Sequence, residues 1–186
     1  GNHAIRKITP AGNVTTPAGS PRHFGSADGT GAAARFNQPA GITVDATGNA
    51  YVADYSNYTI RKINAAAEVT TLAGVPGVYG SSDGIGAAAR FAAPVGVAQD
   101  SAGNIYVGEY ANDLIRKISP AGVVTTFAGQ AGVTGSADGT AAGASFNSPV
   151  GVAVDGADNV YVADFGNHTI RKVTPALTDQ HLVQLL

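Results

Sequence analysis

The tripeptide Ile-Arg-Lys recurs along the chain at an unvarying distance. It begins at residues 5, 60, 115 and 170, so that successive copies are 55 residues apart. Three further markers keep the same step: Asp-Gly begins at 28, 83 and 138, Phe stands at 36, 91 and 146, and Tyr-Val begins at 51, 106 and 161. A fixed period of this size is typical of solenoids, propellers and other repeat arrays. We therefore expect the 186 residues to fold as repeated units.

Each repeat contains the pattern of four short strands. In the second repeat, segments rich in Val, Ile and Thr are separated by turn sequences rich in Gly, Asn and Pro. These segments span residues 95–100, 105–109, 114–119 and 123–128. No stretch shows sustained helical periodicity. Four antiparallel strands per repeat predict an all-β fold built from propeller blades.

Residues 149–175, PVGVAVDGADNVYVADFGNHTIRKVTP, resemble an NHL repeat, the motif named for its Asn-His-Leu triad. The Gly-rich loops before each repeated Phe resemble the linkers of bacterial NHL proteins. The resemblance implies a β-propeller of four-stranded antiparallel blades, with about 55 residues per blade and three blade equivalents in this chain. The repeats would span about 36–90, 91–145 and 146–176 plus 1–35, followed by a non-repeat tail, 177–186. The cellular location is left open, with a secreted or cell-surface bacterial origin favoured.

The repeat pattern raises a problem of ring closure. Residues 1–11 repeat residues 166–176, so both termini carry a third strand. Propellers have about four to eight blades, and the resemblance implies six. We therefore predict a homodimer that closes a six-bladed ring by strand exchange, with residues 4–18 of one chain completing the last blade of the other. Either residues 1–8 or residues 167–175 would then be displaced.

Other interpretations of the incomplete ring stay open at this point. The chain could be an excerpt of a longer propeller, an engineered or reconstructed propeller fragment without a function of its own, or a subunit of an open-ended filament. The tail contains apolar residues at 182, 183, 185 and 186. We expect it to cover an exposed edge, with Thr178 capping a short helix.

The segment DGTGAAARF, residues 28–36, matches the G-x-G-x-x-A pattern of dinucleotide-binding loops. That pattern functions between a strand and a long helix. Here Pro39 follows within a few residues, and the third copy has Ala141 in place of the second glycine. We interpret each copy as a turn whose Asp accepts backbone N–H groups and whose Gly supplies a positive φ, followed by a Phe that plugs the space between blades. These turn and plug residues are Asp28, Gly29, Phe36, Asp83, Gly84, Phe91, Asp138, Gly139 and Phe146.

Acidic and basic residues also recur with the period. Acids at the ends of first and second strands are expected to bind backbone amides beside turns. Calcium is the alternative, but the EF-hand pattern is absent. One member of each Arg-Lys pair is expected to run along the neighbouring blade with its head at the rim, and Asp54 is a candidate partner for Arg61.

Composition limits the remaining chemistry. The four histidines have no metal-ligand spacing and Cys is absent, so no metal, cofactor or catalytic residue is predicted. The net charge of -2 gives no basis for a nucleic-acid partner, although some NHL domains bind RNA. No apolar run reaches the roughly 18 residues of a membrane span, and no membrane partner is predicted.

A surface remains as the candidate site. We expect the loop between the second and third strands and the loop between blades to emerge on one face. Aromatic and polar residues that differ between repeats on this face suit a peptide or carbohydrate ligand, with ordinary local packing as the alternative. The predicted face comprises Tyr55, Tyr58, Tyr79, Tyr110, Asp113, Phe165 and His168. The sequence thus favours a non-enzymatic binding or scaffold module, with a metal-dependent NHL-related lyase or hydrolase as the alternative.

Overall fold

The computed structural model describes residues 1–174, so the predicted tail with its Thr178 cap lies outside the described residues. These described residues form fifteen strands. They are β1 Ala4–Ile8, β2 Val14–Gly19, β3 Gly29–Thr30, β4 Pro39–Val44, β5 Ala50–Asp54, β6 Thr59–Ile63, β7 Glu68–Ala73, β8 Gly84–Ile85, β9 Pro94–Gln99, β10 Ile105–Glu109, β11 Leu114–Ile118, β12 Val123–Ala128, β13 Pro149–Val154, β14 Val160–Asp164 and β15 Thr169–Val173. Single 3-10 turns occupy Gly31–Ala33, Tyr55–Asn57, Gly86–Ala88, Ala141–Gly143 and Phe165–Asn167. None of the helical segments within residues 1–174 is long and apolar enough to cross a membrane.

The strands form four antiparallel sheets in sequence order. Blade 1 has the order β3-β7-β6-β5-β4 and blade 2 the order β8-β12-β11-β10-β9. The last blade contains β13-β14-β15, and the N-terminal hairpin contains β1 and β2. The four strands per repeat are as predicted. The fifth, two-residue strand was not predicted; it comes from the preceding loop, where Gly29 and Thr30 pair with Val69 and Glu68.

Aspartates at the ends of the first strands fix the hairpin turns. In blade 1, Asp45 Oδ1 accepts hydrogen bonds from the backbone N–H groups of Thr47 and Asn49 at 2.9 and 2.8 Å. Tyr51 donates its hydroxyl to the other carboxylate oxygen. The side-chain hydrogen bond from Asn49 lowers the pKa of Asp45 well below its usual range. Asp100 and Asp155 close the equivalent turns, as the sequence predicts.

The first strands of neighbouring sheets pack directly against each other, β4 on β9 and β9 on β13. A Cβ on Gly41 would overlap the carbonyl oxygen of Val95, and one on Gly96 would overlap that of Val150. Glycine is therefore required on the inner strands by close backbone approach.

The apolar core is divided into clusters that lie between successive sheets. Phe36, Phe91 and Phe146 are almost fully buried in three such clusters. Phe91, for example, packs with Ile60 of blade 1 and Val107 of blade 2. Each blade is thus stabilised chiefly by its neighbours, as in repeat proteins generally. Within residues 1–174 the sheets do not close into a ring.

Candidate functional site

The predicted face is built from a repeated turn. After the second strand of blade 1, residues 55–57 form a 3-10 turn, and Tyr58 follows in the left-handed region at φ 59°. Asn57 donates from Nδ2 to the carbonyl of Gly25 and to Asp54 Oδ2, at 2.6 and 2.7 Å. Asn112 and Asn167 make the same pair of hydrogen bonds in the following sheets. The Asn of the repeat therefore ties this turn to the loop between blades, a role that the sequence analysis did not identify.

The left-handed residues His3, Tyr58 and Asp113 each contact the loop that leads to the next blade. The rings of Tyr58 and Tyr79 lie 6.1 Å apart, and those of His3 and Phe24 lie 5.8 Å apart. At the next junction Thr134 donates its hydroxyl to Asp113 Oδ2 at 2.6 Å. The structure thus brings the two predicted loops together.

These positions also join neighbouring blades. Asp113 Oδ1 accepts the backbone N–H of Ser148 at 2.6 Å, and His3 Nδ1 accepts that of Gln38 at 3.0 Å. Tyr79, Tyr110 and Phe165 are exposed, whereas Tyr55, Tyr58 and Asp113 are half-buried. His168 is exposed at the turn of the last blade, at φ 56°. The candidate face is therefore a row of residue pairs, one pair per blade junction.

The recurring arginines occupy buried clusters below this face. Arg61 is fully buried, with Nη1 3.0 Å from Asp54 Oδ2 and Nη2 2.6 Å from Asp28 Oδ1. Its Cζ lies 5.2 Å from the centre of the Phe36 ring. The predicted pairing of Asp54 with Arg61 is confirmed. The prediction that the head lies at the rim is wrong for the arginine, because two carboxylates and two backbone carbonyls bind Nη1 and Nη2 in a buried site beside the ring.

The Asp of each Asp-Gly step has a different partner from the one predicted. Asp28 accepts hydrogen bonds from Arg61 and from the backbone N–H and hydroxyl of Thr71, rather than from its own turn. The positive φ expected of the next residue occurs at Gly29, 146°, and at Gly84, 152°, but Gly139 does not share it. These segments therefore clamp the third and fourth strands.

The same cluster of one arginine and two carboxylates recurs in the next two sheets, except that blade 2 has Glu109 in place of the aspartate. Arg116 pairs with Glu109 and Asp83, and Arg171 pairs with Asp164 and Asp138. Burial raises the pKa of Glu109 to about 7, against the opposing effect of Arg116. Burial likewise raises the pKa of Asp54. All four terminal N–H directions of Arg61 and Arg116 point to protein oxygens, so these guanidinium groups stabilise the blades and offer no such donor to a substrate.

The alternative function, a metal-dependent lyase or hydrolase, requires side chains that can bind a metal ion. Across residues 1–174, no three His, Asp or Glu side chains converge in a way that could hold a metal ion. His3 Nδ1 instead accepts the backbone N–H of Gln38, and His23 Nδ1 lies 3.0 Å from the carbonyl oxygen of Pro21. The fourth histidine, His181, lies outside the described residues.

Comparison with known proteins decides the family. The NHL repeat family matches residues 36–63 and 146–173. The chain is 30% identical over 151 residues to NHL repeat-containing protein 2 of Bos taurus, and 32% identical over 148 residues to Protein SUPPRESSOR OF QUENCHING 1, chloroplastic, of Arabidopsis thaliana. This chain belongs to the NHL-repeat family. The NHL matches include the strand-turn-strand unit that carries Arg61 and Arg171.

Known structures place the NHL chain among propeller-like folds. A protein of unknown function from Bacteroides thetaiotaomicron superposes with a TM-score of 0.76 at 27% identity, over 92% of this chain and 42% of that one. Virginiamycin B lyase from Staphylococcus aureus superposes with a TM-score of 0.57 at 15% identity, over 96% of this chain and 50% of that one. The latter likeness concerns the fold alone. The matched region covers 74% of this chain for both relatives named above. It covers only 14% of the length of the Arabidopsis protein and 21% of the length of the bovine one.

Proposed function

We propose that this NHL chain is a non-enzymatic binding or scaffold module that acts as a homodimer, in which two copies complete a six-bladed ring. The observation that carries the proposal is the state of the two end faces. Positions that are buried at the internal blade junctions are exposed at both ends of the array.

The face of the last blade that points away from blade 2 is called here the C-side face. Ile170 on this face is 72% exposed, whereas its repeat equivalents Ile60 and Ile115 are fully buried. Gly151, Tyr161 and Ala163 line an apolar depression of 250 Å³ beside it. This surface has the composition of a blade junction that lacks its second half.

The opposite surface, called the N-side face, belongs to β4 of blade 1. Ile42 is 47% exposed there, whereas its equivalent Val97 is 7% exposed because blade 1 covers it. Val44 is exposed as well. Since the repeats share one register, the C-side face of one copy matches the N-side face of another in the same way that blade 1 matches blade 2. A two-fold dimer satisfies both faces at once.

A glycine on the inner strand provides a selective test of this assembly. Gly151 occupies the position of Gly96, but its Cβ would meet only the Ala163 methyl group, at 3.3 Å, within the chain. In the ring it would face the backbone of residue 40 of the second copy. We expect Gly151→Ala to leave the chain folded and to convert the dimer into a monomer, as measured by light scattering.

The matched control is Gly143→Ala, since nothing lies within 4 Å of a Cβ there and the equivalent positions 33 and 88 are already Ala. It should remain dimeric. Far-ultraviolet circular dichroism shows whether each variant folds. A wild-type chain that is folded and strictly monomeric, or a Gly151→Ala variant that stays dimeric, would contradict the closed ring.

We further propose that the row of aromatic residues on the loop face is the binding surface for a peptide or a carbohydrate. Exposed rings beside polar groups give such ligands apolar contact together with hydrogen bonds. Among the tyrosine and phenylalanine rings of the predicted face, Tyr79, Tyr110 and Phe165 are exposed. The closed dimer would present this row twice around one ring.

The test uses arrays of short peptides and of oligosaccharides, followed by titration of any compound that binds. Replacing Tyr79, Tyr110 and Phe165 together by Ala should weaken binding at least about tenfold, since each anchoring ring contributes on the order of 1 kcal/mol or more. The control is Ile85→Ala, because Ile85 is exposed on β8, outside this face. Absence of any ligand on both arrays, or binding that survives the triple variant, would count against this surface.

A further inference from the structure

A groove runs along the outer edge of the last blade. It has a volume of 670 Å³ and is lined by residues of β12, the loop before β13 and β15, among them Phe127, Asp138, Phe146 and Arg171. Asp138 pairs with Arg171, yet its side chain is 96% exposed, compared with 49% for Asp28 and 51% for Asp83. The ion pair of Asp138 and Arg171 is thus already formed in the groove, but one side of Asp138 is open.

The complete blades show what occupies this position. In blade 1 the fourth strand, β7, lies there: Thr71 donates its backbone N–H and hydroxyl to Asp28 at 3.1 and 3.0 Å. In blade 2 Thr126 donates its hydroxyl to Asp83 at 3.2 Å. A strand with threonine at this register is therefore the ligand for which the groove is shaped.

We infer that the groove is a β-strand acceptor site, that its occupant is β2 of a second copy, and that β15 is kept at this joint while β1 of that second copy is released. The inference rests on the proposed closed dimer and assigns the strands that form its joint. Thr16 of the second copy would then complete the cluster of Asp138 and Arg171.

The sequence of β2 fits the groove. Residues 14–19 read VTTPAG, whereas residues 69–74, in β7 and the glycine after it, read VTTLAG, and residues 124–129, in β12 and the glycine after it, read VTTFAG. The one chemical difference is Pro17, which has no backbone N–H. In blade 1 its equivalent, Leu72, stands at a register shift between the pairs Arg61–Thr71 and Ile60–Ala73. Proline is tolerated at such bulges because no ladder hydrogen bond is lost there.

The chain's own C-terminal segment fits less well by sequence. At the same register it reads DQHLVQ, residues 179–184, with His181 at the threonine position and Gln184 at the glycine position. In blade 1 the glycine position is Gly74, whose φ is 90°. A Cβ added there would lie 3.2 Å from the Cα of Thr59 and would overlap the carbonyl oxygen of Tyr58. Glutamine is poorly suited to that conformation.

The choice between the two third strands follows from their arginines. Arg171 on β15 holds Asp164, Asp138 and the face of Phe146. Arg6 on β1 is exposed and forms no ion pair within residues 1–174. Releasing β1 costs its ladder to β2, which the nearly identical β15 of the other copy replaces. Releasing β15 would in addition break a formed ion-pair cluster.

Paired cysteines test this joint, because the chain contains none of its own. Lys62 and Thr70 are opposite partners in blade 1, so Lys172 should lie opposite Thr15 of the second copy. Partners across an antiparallel pair fall within disulfide range. The double variant Thr15→Cys/Lys172→Cys should migrate as a covalent dimer without reductant and as a single chain with it. All substituted side chains are exposed, so folding should be preserved.

The matched control is Thr15→Cys/Lys7→Cys, since Lys7 lies opposite Thr15 within one hairpin. With β1 released it should form little intrachain disulfide, as measured by mass spectrometry of the purified dimer. As a second pair, Arg171→Ala should raise the dimer dissociation constant at least about tenfold, whereas Arg6→Ala should leave it unchanged.

The outcomes separate the joint from the ring. Suppose that the wild-type chain is a dimer, that Thr15→Cys/Lys172→Cys does not crosslink and that Thr15→Cys/Lys7→Cys forms its intrachain disulfide. If the dissociation constant also depends on Arg6 rather than on Arg171, the assignment of β15 is overturned while the ring is kept. A ladder of crosslinked bands would support the strand joint and overturn the closed dimer in favour of a filament. A monomeric wild-type chain would overturn both.

Discussion

Replacing Arg116 by Ala is expected to lower the free energy of unfolding by about 3–5 kcal/mol, the usual cost of removing one partner from a buried ion pair. Arg116 is fully buried between Glu109, at 2.7 Å, and Asp83, also at 2.7 Å. Without the guanidinium, Glu109 would remain buried with hydrogen bonds only from Ala92 and Asn112. Urea unfolding at neutral pH measures the loss.

The loss should grow with pH. The pKa of Glu109 in the folded chain is already raised to about 7, above the 4.5 of a free glutamate, and removing the opposing positive charge raises it further. A carboxyl group whose folded pKa is raised contributes stability below its unfolded pKa and loses it as pH rises toward the folded value. The cost of Arg116→Ala should therefore be smaller at about pH 5 than at about pH 8.

The matched control for this experiment is Arg6→Ala, at the equivalent position of β1. Arg6 is exposed, so its removal should change the unfolding free energy by no more than about 0.5 kcal/mol. A loss below about 1 kcal/mol for Arg116→Ala, or one that shrinks as pH rises, would contradict the structural role assigned to the cluster.

The period of the sequence was sufficient to predict the blades but not the way in which they are fastened. Alternating segments and turn residues marked the strands closely; for example, the segment predicted at 105–109 coincides with β10. Each turn is a local interaction, as with Asp45 and Asn49, so local sequence carries it. The two-residue strand Gly29–Thr30 was missed because its partner, β7, lies about forty residues further along and its own sequence is a loop by every local criterion.

The arginine cluster shows the same limit in chemical form. A basic residue on a strand normally keeps its charged group in water. The sequence suggested Asp54 as a partner for Arg61 but did not indicate that both side chains are buried. Burial became evident only when Asp28, from the preceding loop, and Phe36 were seen around the same guanidinium. The close approach of Gly41 to the next inner strand was likewise not predictable, because a glycine in a strand has several possible causes.

Replacing Phe91 by Ala should lower the free energy of unfolding by about 3–5 kcal/mol, since it removes a fully buried ring and leaves a cavity between two blades. The ring contacts both sheets, and the Cζ of Arg116 lies 5.4 Å from its centre. Phe24→Ala is the matched control, because Phe24 is 69% exposed and should cost little. A loss for Phe91→Ala no larger than that of the control would show that the ring is not a plug.

The shape of the unfolding transition carries a further consequence of the same substitution. In an array whose units are stabilised by nearest-neighbour contacts, cooperativity depends on the junctions rather than on the units themselves. Phe91 lies at the junction of blades 1 and 2, whereas a residue inside one sheet affects that sheet alone. Phe91→Ala should therefore broaden the urea transition and lower its apparent m value, in addition to shifting its midpoint. A transition that shifts but keeps the wild-type slope would mean that the blades unfold together even when this junction is weakened, so that their coupling would have to reside in the packed inner strands and the arginine clusters instead.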